Sequence, residues 1–174
     1  MIPNIKKAAM KFGTTPIRDS LIFLKRIKNI PNIPIITKPK VRIWDLNKPK
    51  ILYIMLNPSY ADDEFDDPTI RRLIFFSKKF KYGGFYVANL FTQITPYPKF
   101  LNIESSIQKN NLKVIKDLVL KSKTIVYAWG NLVNEPRELL SIVNNPLCFK
   151  KNLNGTPKHP LYLPSSSELE SFRD

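Results

Sequence analysis

The sequence predicts an α/β domain, a three-layer α/β/α sandwich around a mainly parallel sheet of four to five strands. Three observations predict it. Short continuous apolar runs recur at Ile51–Leu56, Phe85–Leu90 and Thr124–Ala128, each too short for a helix and lacking the alternation of a half-exposed strand. Segments of helical periodicity separate them, so strand and helix alternate along the chain. Each run also stops at polar or aromatic residues: Asn57-Pro58-Ser59, Asn89 to Gln93, and Trp129-Gly130-Asn131. Ligands of open parallel sheets bind just outside such strand ends.

Residues 1–40 read as an arm. Ile5–Phe12 and Ser20–Ile27 have the spacing of short basic amphipathic helices, and Pro31, Pro34 and Pro39 then force an extended linker. The single α/β domain is expected over residues 41–164. Val41–Leu46 alternates as an edge strand does and turns at Asn47-Lys48-Pro49 into the central strand. Pro58 has no N–H to donate and ends that strand. Asp67 caps the following helix, with Pro68 at its first position, and Ile70, Leu73, Ile74 and Phe80 face the sheet. Tyr82-Gly83-Gly84 stops it.

Phe85–Leu90 is the second buried strand, and the prolines of Thr95–Phe100 mark a loop. Ser105–Leu120 reads as a helix with Ile107, Leu112, Ile115 and Leu118 or Val119 on one face. Thr124–Ala128 is the third strand, Pro136–Val143 a helix and Leu147–Phe149 a short fourth strand. Residues 154–164 cross the sheet end without regular structure. The polar stretch Ser165–Asp174 is expected to fray.

Composition narrows the class. A chain of 174 residues that is 43% hydrophobic can bury one sizeable core. Its single cysteine, Cys148, excludes a disulfide framework and a cysteine-ligated cluster, which fits a reducing cytoplasm. No apolar run approaches a membrane span, and the N-terminus lacks the apolar core of a signal peptide. The expectation is an intracellular protein with no membrane partner. The net charge of +14 points toward nucleic acid or nucleotide. A codon bias favouring Lys, Asn, Ile and Phe gives the same excess, since the lysines are dispersed and arginines number only seven. Oligomeric state leaves no signal.

The chemistry is expected at the rim where Asn57, Asn89, Trp129 and His159 converge, and above all in the loop Asn57–Asp67. Arg71 or Arg72 can hold a phosphate at the helix N-terminus or pair with Asp66. Asp62, Asp63 and Asp66 are the only carboxylates grouped for a hard cation, but Asp67 is used as a cap and no histidine is near in sequence. Neither a metal nor a cofactor is expected.

Several of these motifs are shared. Arg42-Ile43-Trp44-Asp45, LNPSYAD, DDPTIRR, YGGFYVANLF, AWG and TPKHPLYLP, from about Val41 to Pro164, closely resemble the bacterial and phage family called domain of unknown function 1643. The ordered strand-end motifs also resemble the uracil-DNA glycosylase superfamily. Asn57-Pro58, Val87-Ala88-Asn89, Ala128-Trp129-Gly130-Asn131 and His159-Pro160 stand in the order of its motifs. This chain has Asn rather than Asp at 57, Leu161 where that superfamily has Ser, and none of the cysteines of its iron–sulfur branches.

The second resemblance implies a uracil-DNA glycosylase-like fold whose rim binds a nucleobase. It implies that Asn57 positions an attacking water and that His159 stabilises charge on the departing base. Asn89 would read a base edge, with Phe91 or Tyr60 stacking on the ring and Pro58, Ser59, Arg71 and Arg72 lining the approach. Three readings follow: a nucleobase-, nucleotide- or DNA-binding domain that cleaves an N-glycosidic bond, a non-catalytic module of the same specificity used by a phage or its host, and a metal-dependent hydrolase on the acidic turn 62–67.

Overall fold

The computed structural model describes residues 39–58, 67–92 and 109–173. The elements within them are β1 (Lys40–Ile43), β2 (Ile51–Met55), α1 (Pro68–Lys79), β3 (Gly84–Asn89), α2 (Lys109–Lys121), β4 (Thr124–Tyr127), α3 (Arg137–Leu140), β5 (Leu147–Cys148), a 3-10 turn (Pro160–Tyr162) and β6 (Glu170–Ser171). The two helices expected in residues 1–38 lie outside the described residues.

All five residues of β2 are buried and uncharged, so both faces of this strand need cover. The sheet order is β1-β3-β2-β4-β5-β6, with β2 pairing in parallel with β3 and β4, and β4 with β5. The edges β1 and β6 are antiparallel to β3 and β5. From β2 the chain moves one way to β3, then crosses back over β2 to β4 and continues to β5. Right-handed crossovers place helices on opposite faces when the direction reverses.

The packing follows that rule. Ile70, Leu73 and Phe76 of α1 join Ile51, Tyr53, Phe85 and Val126 in one cluster. Ile115 and Leu118 of α2 and Leu139 of α3 join Leu52, Ile54, Ala88 and Tyr127 in the other. Alternation along β2 thus divides its side chains between two cores. Tyr53 reaches across the first of these to share a 3.1 Å hydrogen bond with Ser77 of α1, both residues being fully buried.

The helix start matches the sequence reading: Asp67 Oδ1 accepts from the Ile70 N–H at 2.7 Å, with Pro68 at the first position. The stop differs in detail. The left-handed residue is Lys81, at φ 63°, and its N–H bonds the Lys78 carbonyl while that of Tyr82 bonds Ser77. Gly83 and Gly84 answer a different need: a Cβ at Gly83 would lie 2.1 Å from the Asp45 carbonyl oxygen, and one at Gly84 2.6 Å from that of Arg42. These glycines let β1 and its turn close on β3.

The sheet has six strands rather than four or five, because the tail does not fray. Glu170–Ser171 pairs with β5 and Phe172 is buried. Arg173 donates from Nε to both Glu135 carboxylate oxygens at 3.1 Å and from Nη1 to the Val143 carbonyl at 2.6 Å. A stretch that reads as polar is held by one aromatic and one guanidinium. Helix α3 is also shorter than expected, a single turn entered through Pro136, and β1 ends at Ile43 rather than Leu46. Among the described residues, no helix is long and apolar enough to cross a membrane.

Candidate functional site

Strands β2 and β4 are neighbours whose outgoing connections lead to α1 on one face and α3 on the other. Chains that part in this way leave a crevice at the carboxyl ends of the strands. A cleft occupies this place, with about 650 Å³ of space including its open mouth. Met55, Leu56 and Asn57 line it from the end of β2, and Trp129 to Leu132 from the end of β4. His159 and Tyr162 close it from the 3-10 turn.

Local bonds hold each wall. Backbone pairing outlasts the strands, with the Ala128 N–H on the Ile54 carbonyl and that of Phe91 on Leu56, both at 2.9 Å. Trp129 is buried and donates its indole N–H to the Val133 carbonyl at 2.8 Å, which fixes the loop that carries Asn131 and Leu132. Gly130 sits at φ 90°, a conformation that disfavours a side chain, and its N–H meets the Pro157 carbonyl at 3.0 Å. That bond moors the tail segment beside β4. A Cβ on Gly130 would be 3.9 Å from His159 Cβ, so the two residues are close neighbours.

His159 caps the 3-10 turn: its Nδ1 accepts from the Leu161 N–H at 3.2 Å. With Nδ1 used as an acceptor, the neutral ring carries its proton on Nε2, which becomes a donor. Burial lowers the imidazole pKa below its ordinary value, and the Asp67 carboxylate opposes part of that shift. The ring is therefore a neutral donor near pH 7. Tyr162, 85% exposed, lies 6.2 Å from it between ring centroids. Asn57 is half-buried, and its Nδ2 donates to the Pro58 carbonyl at 3.2 Å.

Among the residues expected at the rim, the cleft brings together Asn57, Trp129 and His159. Asn89 pairs with Met55 in register, but lines a separate small hollow with Pro39, Ala88, Asn111 and Val114. Its carbonyl accepts from Asn111 Nδ2 at 3.1 Å. Phe91 is 6% exposed within the α2-side core, where its ring packs rather than faces solvent. Arg72 is engaged by the tail, donating to the Leu163 carbonyl and at 3.2 Å to Ser165 Oγ, with its guanidinium 4.6 Å from the Phe76 ring centre. Arg71 is exposed on the first turn of α1. Pro58 ends the described part of its loop, and Ser59, Tyr60, Asp62, Asp63 and Asp66 lie outside the described residues. Among the described residues, no three His, Cys, Asp or Glu side chains are grouped to hold a metal.

The cleft and its strand order set the frame for comparison. The model of a family described as a protein of unknown function, DUF1643, matches residues 41–161. The chain belongs to the DUF1643 family. That match runs from β1 to the 3-10 turn and includes every cleft residue except Tyr162, while β6 lies beyond it. No curated protein and no solved structure matches the chain, and the likeness to uracil-DNA glycosylases gains no support from them. Among the lining residues, Asn131 belongs to the strand-end motif already singled out, whereas Leu132 and Tyr162 escape a sequence reading of this DUF1643 domain. Leu132 follows that motif and Tyr162 follows His-Pro, so proximity to those motifs was the available signal.

Proposed function

We propose that the cleft binds a nucleobase, carried by a nucleotide or by DNA, and that the domain has a three-layer, mainly parallel fold of the uracil-DNA glycosylase type. One observation carries the reading: Asn57 and His159, about a hundred residues apart in the chain, line the same cleft at the carboxyl ends of β2 and β4. The strand order, with helices packed on both faces of the sheet, supports the fold. A neutral His159 with its proton on Nε2 suits a pyrimidine carbonyl oxygen, and it stabilises the negative charge that grows there if the glycosidic bond breaks. Asn57 offers an amide donor and acceptor for water or a base edge. An amide is no strong base, so hydrolysis here rests on positioning and electrostatics.

The same weakness favours a second reading, a binding module without turnover. Abasic-site formation on oligonucleotides with uracil, mismatched thymine or hypermodified pyrimidines, measured with EDTA present, separates the two. Cleavage in EDTA assigns the glycosidase, and saturable binding without cleavage assigns the module. Activity only with magnesium or manganese moves the chemistry to Asp62, Asp63 and Asp66. In the catalytic case His159→Ala lowers the rate about a hundredfold to a thousandfold. A variant as active as wild type per folded molecule contradicts the site.

A further inference from the structure

The two-residue strand β6 leads into Phe172 and Arg173, whose side chains converge on the region that forms one wall of the cleft. The Phe172 ring lies 5.1 Å from that of Tyr127 and 6.0 Å from that of Trp129, between centroids. Arg173 commits every N–H of its guanidinium to the fold. Nε donates to both Glu135 carboxylate oxygens at 3.1 Å, and Nη2 donates to Glu135 and, at 3.2 Å, to the Tyr127 hydroxyl. Nη1 donates to the Val143 carbonyl at 2.6 Å and to that of Asn144 at 3.3 Å. The Arg173 and Glu135 side chains are only 26% and 15% exposed, so the pair is largely shielded from water.

Glu135 stands near the end of a loop, Ala128 to Pro136, that has no helix or strand of its own. Asn131 and Leu132 of this loop line the cleft, and the Trp129 indole on the Val133 carbonyl ties it from within. Side-chain anchors therefore set its shape. A guanidinium fork grips a carboxylate at two points, which the single ammonium of a lysine does not reproduce. By also taking the carbonyls of Val143 and Asn144, the same fork fixes the loop to the turn after α3. The family match stops at residue 161, so this anchor is supplied from beyond it.

We propose that Arg173 is a positioning residue for the cleft: by holding Glu135 it keeps the loop, and with it Asn131 and Leu132, in the shape that receives a ligand. Without Arg173 the Glu135 carboxylate is left shielded and without its counter-charge, a cost relieved when the loop swings it into water. The tail is thereby coupled to the cleft, and the coupling is reciprocal. An occupant that needs the loop in place also favours the docked tail. The proposal rests on the base-binding reading for the identity of that occupant, and not for the brace itself.

The test follows the indole N–H signals of the full chain by NMR. The chain has two tryptophans, and Trp44→Phe assigns the signal of Trp129. Uracil is titrated in parallel by calorimetry. In Arg173→Ala the Trp129 signal leaves its wild-type position, and its exchange with solvent speeds up about tenfold to a hundredfold, as expected for losing hydrogen bonds to a charged group. The amide of Tyr53, fully buried in β2, changes less, because the loss is local. Uracil affinity falls about tenfold, which corresponds to a loop correctly placed about one-tenth of the time. Glu135→Gln keeps the shape of the side chain and moves the same signal in the same direction by less. Adding it to Arg173→Ala produces no further change, since the two residues act as one brace.

An unmoved Trp129 signal in Arg173→Ala, or exchange that rises equally at Trp129 and Tyr53, overturns the brace. Wild-type uracil affinity in that variant overturns the positioning role. If Arg173→Ala does not fold, Glu135→Gln carries the same comparison, and an unmoved Trp129 signal there overturns the brace. If uracil binds neither wild type nor variant, the base-binding reading fails, and the Trp129 signal alone decides whether Arg173 holds the wall.

Discussion

His159 is the residue on which the proposed chemistry depends, and its environment gives it a testable pH signature. Burial depresses its folded pKa, so the unfolded chain takes up the proton first as pH falls. Its contribution to stability is therefore complete above the ordinary imidazole pKa of about 6.5 and is lost as pH drops through the lower folded value. We expect His159→Gln to flatten the acid side of the stability–pH curve below about pH 6.5 in denaturant titrations. An unchanged slope there would show that the ring is not buried neutral. A second residue-scale test concerns Tyr53 and Ser77, whose hydroxyls pair where no water reaches. Ser77→Ala leaves the phenol unpaired and should cost about 1–3 kcal/mol, whereas Tyr53→Phe with Ser77→Ala should recover part of it. Equal losses in the single and double variants would mean that the pair is not the source. Asn57 and His159 were legible in the sequence because they stand beside proline at predicted strand or loop boundaries. Tyr162 was not, because an aromatic after such a motif reads equally well as core.

At the scale of elements, α1 shows what local sequence signals specify and where they stop. Asp67-Pro68 reads as a start because both residues answer the same shortage, the free N–H groups of the first turn. Its end was harder to read, since Lys81 occupies a left-handed position usually filled by glycine while the adjacent glycines serve close packing. Lys81→Gly should therefore raise stability by about 0.5–1 kcal/mol, the relief of left-handed strain less the added freedom of the unfolded chain. A loss on substitution would mean that the lysine side chain makes a contact worth more than that strain. The C-terminal strand was illegible for another reason. Its two residues are polar and exposed, and what holds them is long-range: Phe172 against Tyr127 and Trp129, and Arg173 on Glu135. Periodicity does not register such partners.

At the scale of the whole sheet, the order of strands places the cleft. Alternating strand and helix segments are visible as runs and periods, but the reversal of direction about β2 is not, because it depends on which strands pair. That reversal sends α1 and α3 to opposite faces and opens the cleft between β2 and β4. Asn89 stands at the same rim, but next to β2 on the side away from β4, which is why it does not share that cleft. The presence of a single histidine allows a direct measurement. In protein carrying isotope-labelled histidine, the ring signals of His159 should shift saturably as pyrimidine nucleobase is added, and Asn57→Ala should weaken that binding. A base that binds by calorimetry while leaving His159 unmoved, or no binding of any base, would contradict the account.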